Sequence, residues 1–165
     1  MKVLIFDQST KCSGWSFFSN GKYVTSGVID MSRSELETDE RSFEMAKRLW
    51  GIIKHHSPDE LVIEQVQNQS NTKTVIILAR LAGMIIGYAE AHGVKTHTVE
   101  PSKWRSALSY KQGPKVKRTE LKQQSIDYIK ENLGINMPED QAEAVCIGFA
   151  AHKIYNFMDE EDIWD

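Results

Sequence analysis

Residues 2–29, KVLIFDQSTKCSGWSFFSNGKYVTSGVI, decide how the fold begins. After Lys2 the unbroken apolar run Val3 to Phe6 suits a central strand covered on both faces, where neither side can carry polar groups. That strand, 2–6, closes on Asp7. WSFFS at 15–19, Asn20-Gly21 and KYVTSGVI at 22–29 then read as a hairpin, because Asn-Gly accepts the positive φ angles of a two-residue type I′ turn. Three antiparallel strands therefore open the chain.

Outward from this meander, Phe43, Ala46, Trp50 and Ile53 recur at three- and four-residue spacing, which predicts a helix over 34–56 ended by Ser57-Pro58-Asp59. LVI at 61–63 is a second fully apolar strand, closing on Glu64 before the polar loop QVQNQSNTK. Val75, Leu78, Ala79, Ala82, Ile86 and Ala89 form the stripe of a helix over 74–92, capped by Ser70, Asn71 or Thr72, with Gly83 and Gly87 open to a close neighbour. VKTHTV at 94–99 is a fifth strand, and Pro101-Ser102 opens a short helix whose Trp104 is expected in the core. The loop SYKQGPKVK leads to a helix over 117–132, and a last helix from Pro138 buries Ala142, Val145, Cys146, Phe149 and Ile154. This order predicts an α/β fold, a mixed five-stranded sheet with helices on both faces.

At 165 residues, 41% hydrophobic and 26% charged, the chain suits one globular domain, taken as residues 1–158 with an acidic tail at 159–165. No apolar run approaches the ~20 residues of a membrane span, and Asp7 interrupts the N-terminal apolar stretch where a signal peptide would continue. Two cysteines outside any CxxC pair support neither a disulfide framework nor a zinc site, so a reducing cytoplasm is expected. The net charge of −3 is unevenly spread. The tail holds five of 23 acids, while residues 103–130 carry eight Lys or Arg against two acids. Such a basic stretch is either a solvated face or a polyanion-binding surface.

Two buried-type strands each end in an acid, Asp7 and Glu64, and ligands gather at the carboxyl ends of strands in such sheets. Asp140 and Glu143 add a pair at i, i+3 on one helical face. Singly, such acids cap turns and helix starts. Together, four carboxylates converging on one spot repel each other unless cations neutralise them, and hard oxygen donors without His or Cys suit Mg²⁺ or Mn²⁺. Two such ions about 3.5–4 Å apart hydrolyse phosphodiesters. The basic segment then supplies phosphate contacts through Lys111, Lys115, Lys117, Arg118 and Lys122.

The runs VLIFDQSTKCSGWSFF, LVIEQVQ and PEDQAEAVCIGFA resemble, in order and spacing, the RuvC-type Holliday junction resolvases of the ribonuclease H-like superfamily, especially those encoded by phages. The resemblance covers about residues 2–155. It implies a ribonuclease H-like fold, two Mg²⁺ per site with Mn²⁺ as a substitute, and a homodimer that makes paired nicks in branched DNA in the cytoplasm of a bacterial host. Asp7, Glu64, Asp140 and Glu143 match the metal-binding catalytic carboxylates, Glu143 standing where many relatives have Asp. Gln67 occupies the place of an aromatic that opens the junction in the bacterial enzymes, so relaxed action on forks and flaps is expected. Helix 74–92 is the expected dimer element. The readings that compete with this one are a nuclease for structured RNA and a catalytically silent module that binds branched DNA.

Overall fold

The computed structural model describes residues 1–157, so the acidic tail at 159–165 lies outside the described residues. Strands β1 (Lys2–Asp7), β2 (Cys12–Ser19) and β3 (Lys22–Asp30) form the antiparallel meander, with Asn20 and Gly21 at φ of 48° and 72° in the tight turn. The register slips between Phe17 and Phe18, which pair with Thr25 and Tyr23, so Val24 is bulged out and 52% exposed.

Helix α1 (Thr38–His56) leads to β4 (Glu60–Glu64), α2 (Thr72–Ala91) to β5 (Lys95–Val99), and α3 (Pro101–Ala107), α4 (Arg118–Leu133) and α5 (Glu139–Tyr155) complete the chain. The sheet order is β3-β2-β1-β4-β5, with β1, β4 and β5 parallel. This is the expected mixed five-stranded sheet. Alternation along β1 and β4 divides the core: Val3, Ile5 and Val62 face α5, with α3 and α4 outside it, whereas Leu4, Phe6, Leu61 and Ile63 face α1 and α2.

Three details depart from the sequence reading. α1 begins at Thr38 rather than Ser34, because Ser34 is spent on a turn in which its N–H donates to the Met31 carbonyl. Its buried face is Ser42, Met45, Ala46, Leu49 and Ile53, one position round from the expected stripe, and Phe43 is 48% exposed. Trp50 lies at the edge of that face, stacked on Tyr88 at 5.1 Å with its indole N–H donating to the Met84 carbonyl.

On α2 the buried face is Leu81, Ala82, Ile85 and Ala89, while Ala79, Gly83 and Gly87 are exposed. Asn71 caps this helix, its Oδ1 accepting from the Lys73 and Thr74 N–H groups. By length and composition its 20 residues are apolar enough to cross a bilayer, although Lys73, Arg80 and Glu90 break up any continuous apolar run. Here one face packs in the core and Arg80 pairs with Asp39 of α1 at 2.9 Å.

Candidate active site

β1 and β4 run side by side in parallel with Phe6 opposite Ile63, so Asp7 and Glu64 emerge as neighbours at the carboxyl end of the sheet. On the other side Asp7 pairs with Gly14 of β2. Gly14 has a steric reason to be there: a Cβ would lie 1.9 Å from the Asp140 carbonyl oxygen, so only glycine lets the first turn of α5 press onto β2. Ser16, buried on β2, donates to the Ala144 carbonyl at 2.8 Å, and the Gln141 amide donates to Ser26 Oγ at 2.8 Å. These contacts fix α5 in rotation and height, and thereby place Asp140 and Glu143.

The result is a cluster in which one carboxylate oxygen each of Asp7, Asp140 and Glu143 lies within 4.8 Å of the others. Glu64 falls outside that group. Trp104, fully buried, donates its indole N–H to Glu64 Oε2 at 2.6 Å, and the Gln8 amide donates to the Glu64 carbonyl at 2.6 Å. Burial, then the charges of Glu64, Glu143 and Asp140, hold the Asp7 carboxyl well above its usual range, against the pull of Lys122. Burial and Glu64 push Glu143, which is only 9% exposed, up to about 7. Glu64 is raised by burial and restrained by the Trp104 hydrogen bond and the charges of Arg105 and Arg118. Such a set favours either protons or a bound cation. All-oxygen donors suit a hard divalent ion, so the residues fit the metal that their chemistry calls for.

A groove of about 1000 Å³ surrounds the cluster, and its walls carry Lys11, Arg41, Lys73, Arg105, Arg118 and Lys122. Lys122 Nζ is 3.8 Å from Asp140 Oδ1 and also pairs with Glu139. Burial works against the Lys122 charge, but Glu139, Glu143 and Asp140 together hold its ammonium above the usual range. Arg41 and Arg105 each keep a buried Nε with no hydrogen-bond partner among the described residues, as expected where an anionic partner completes the site. Cys12, beside Asp140, has its thiol pushed up to about 12 by burial and that carboxylate, so it stays protonated.

Of the basic residues expected from sequence to meet DNA, Arg118 and Lys122 line the groove, as does Gln67. Lys111, Lys115 and Lys117 do not. They are exposed around the α3–α4 loop, and the Lys111 backbone is held away by a reciprocal pair of hydrogen bonds with the Gln124 side chain. Lys11, Arg41, Lys73 and Arg105 were missed. Arg105 lies inside the basic stretch and Lys11 close after Asp7, so both were within reach of the sequence. Arg41 and Lys73 come from the first turns of α1 and α2, which only the tertiary structure brings to the groove.

The family model for crossover junction endodeoxyribonuclease RuvC matches residues 6–150. A crossover junction endodeoxyribonuclease RuvC of Syntrophomonas wolfei is 24% identical over 96% of this chain and 94% of its own length. Among solved structures, T. thermophilus RuvC in complex with Holliday junction substrate superposes with a TM-score of 0.74 at 17% identity, covering 94% of each chain. The yeast mitochondrial Holliday junction resolvase Ydc2 superposes with a TM-score of 0.59 at 18% identity, covering 90% of this chain and 76% of that one. With a family match that takes in every strand-end and helix acid of the cluster, this chain belongs to the RuvC family of crossover junction endodeoxyribonucleases.

Proposed function

We propose that this chain is a metal-dependent, structure-selective endonuclease that resolves Holliday junctions and also nicks forks and flaps. The observation that carries the reading is the meeting of Asp7, Asp140 and Glu143 within 4.8 Å, beside Glu64, at the floor of a groove walled by six cationic side chains. Asp7, Glu64, Asp140 and Glu143 would hold two Mg²⁺ ions, with Mn²⁺ able to replace them. Ions held there supply activation of the attacking water and Lewis-acid stabilisation of charge on the scissile phosphate. The chain's own groups do the rest. Loading the site would favour the ionised carboxylates of Asp7 and Glu143, which burial otherwise opposes, while Lys122 offers a positive charge beside Asp140 and Arg105 and Arg118 engage the flanking phosphates. Gln67 at the groove wall is too polar to act as an apolar wedge between bases, which favours tolerance for several branch types.

Paired nicks need two such sites, and a second copy of the chain supplies the other. The outer side of α2 is the surface for it. Ile76 there is 51% exposed, and a Cβ placed at Gly83 or Gly87 would meet nothing within 4 Å. The similarity to a bacterial RuvC protein supports the bacterial cytoplasm as the place where it acts.

The test is cleavage of a labelled four-way junction, with matched fork, linear duplex and structured RNA, in Mg²⁺ and in EDTA, by the wild type and by Glu64→Gln. Symmetric nicks in the junction by wild type with Mg²⁺ alone, and binding without cutting by the variant, are expected. Equal cutting of linear duplex would remove structure selectivity. Binding without any metal-dependent cutting would leave a DNA-binding module, and cutting confined to RNA would replace the substrate.

A further inference from the structure

A buried indole N–H needs an acceptor, and in most cores that acceptor is a backbone carbonyl or a neutral side chain. In this protein Trp104, 0% exposed, gives its N–H to Oε2 of Glu64 at 2.6 Å, a short contact for an N–H donor, in the direction that a carboxylate acceptor favours. The fold holds the two residues in register. Glu64 pairs with Val99 where β4 leaves the sheet, the Gln65 N–H donates to the Val99 carbonyl at 2.8 Å, and α3 starts at Pro101 directly after β5. The fourth residue of that helix, Trp104, therefore faces Glu64.

The indole is also held from its other sides. Tyr110 meets it edge-on at 5.4 Å, and the Tyr110 hydroxyl lies 3.0 Å from Ser125 Oγ of α4 and 3.1 Å from Cys146 Sγ of α5. The Arg105 guanidinium lies 5.0 Å from the Trp104 ring. Rotation of the ring out of its bond with Glu64 would disturb all of these contacts.

We infer that Trp104 is a positioning residue of the metal centre, whose N–H occupies one Glu64 oxygen and leaves the other as the oxygen that ligates. The inference rests on reading Asp7, Glu64, Asp140 and Glu143 as the metal-binding set. A neutral donor is suited to the task because it orients the carboxylate without cancelling the charge that attracts the cation, as a lysine or arginine at the same place would. It also keeps Glu64 from turning into the Asp7–Asp140–Glu143 cluster, where two carboxylates sharing a proton would occupy the space of an ion.

Mn²⁺ binding to the full-length protein without DNA, followed by electron paramagnetic resonance of the free ion, separates this role from simple packing. Trp104→Phe, with folding checked by circular dichroism, is expected to bind Mn²⁺ about tenfold more weakly than wild type, the scale of losing an outer-shell partner. Glu64→Gln and the double variant Glu64→Gln/Trp104→Phe should bind alike, because the indole acts only through Glu64. Equal affinity of wild type and Trp104→Phe, or a further loss in the double variant, overturns the inference while leaving the metal site standing. A wild type that takes up no Mn²⁺ at millimolar concentration overturns the metal reading and the inference with it.

Should Trp104→Phe fail to fold, the wild-type indole N–H resonance of Trp104 decides. A saturable shift with Mg²⁺ that Glu64→Gln abolishes supports the inference, and a resonance unmoved by Mg²⁺ overturns it.

Discussion

α2 and α5 pack against opposite faces of the same sheet, and their compositions suggest the reverse of what each does. α2 is apolar enough to cross a bilayer by length and composition, yet only Leu81, Ala82, Ile85 and Ala89 of its 20 residues are buried. α5 opens with Glu139 and Asp140 and carries Glu143, yet nine of its 17 residues are buried. Size explains the difference better than polarity. α5 presents Ala142, Ala144, Gly148, Ala150 and Ala151, and at Gly148 a Cβ would lie 2.2 Å from the Phe18 ring, so the helix sits deep in the sheet and brings its acids with it. α2 buries Leu81, Ala82, Ile85 and Ala89 alone, and its other side, with Ile76, Ala79, Gly83 and Gly87, faces outward.

The largest effect should come from breaking the α5 contact. Gly14→Ala forces a methyl group into the Asp140 carbonyl, and such overpacking costs about 1–3 kcal/mol of stability. Because Asp140 must move with the helix, junction cleavage should fall by about a hundredfold, the scale of a roughly 1 Å misplacement. Chemical denaturation and single-turnover cleavage check the two halves; an unchanged cleavage rate would mean that α5 is not what places the site.

On α2 the corresponding change should do the opposite. A Cβ at Gly83 meets no atom within 4 Å and the position is exposed, so for Gly83→Glu stability should stay within about 1 kcal/mol of wild type. If the proposed dimer forms through α2, light scattering should show a dimer for wild type and a monomer for the variant. A dimeric variant would move the interface off α2 and weaken the contrast between the two helices.

A third difference between the regions is electrostatic. Glu143 on α5 has its carboxyl raised from the ordinary 4.5 to about 7, and Asp7 is raised as well. At these two carboxyls the folded protein binds protons more tightly than the unfolded chain, so their contribution to stability without metal should fall as pH rises from about 4.5 through about 7. Mg²⁺ competes with those protons, so its gain in Tm should be greater at pH 8 than at pH 5. Thermal scans at the two pH values with and without Mg²⁺ measure this, and an equal gain at both would argue that the cation binds elsewhere.

The smallest effect belongs to the groove wall. Arg118→Ala should lower the slope of log affinity against log salt by about one ion for junction DNA, whereas Lys115→Ala, outside the groove, should leave it nearly unchanged. Equal losses would place the α3–α4 loop on the DNA path as well.

Much of this was legible in the chain. Alternation and apolar runs give the strands away because a strand between two helical layers cannot carry polar groups, and Asp7 and Glu64 stand out as the acids that end such runs. The i, i+3 pair Asp140 and Glu143 is equally visible, because helical spacing dictates a shared face. The inward face of α1 was less so. Ser42 is buried, its hydroxyl donating to the Thr38 carbonyl, and Phe43 is exposed, an orientation of the helix that hydrophobicity alone does not give. The basic stretch showed that cations are concentrated, but not that Lys111 is pinned to Gln124 while Arg41 and Lys73 enter the groove from the other side.

The sequence by itself thus determined the elements, their order, the mixed sheet and the four acids, since periodicity and strand-end chemistry are local properties of the chain. Only the tertiary structure decided that Asp7, Asp140 and Glu143 meet while Glu64 is held beside them by Trp104, 40 residues further along the chain. Distances between residues far apart in sequence depend on how closely two surfaces approach. Here that approach is set by the missing side chain of Gly14 and a single indole hydrogen bond.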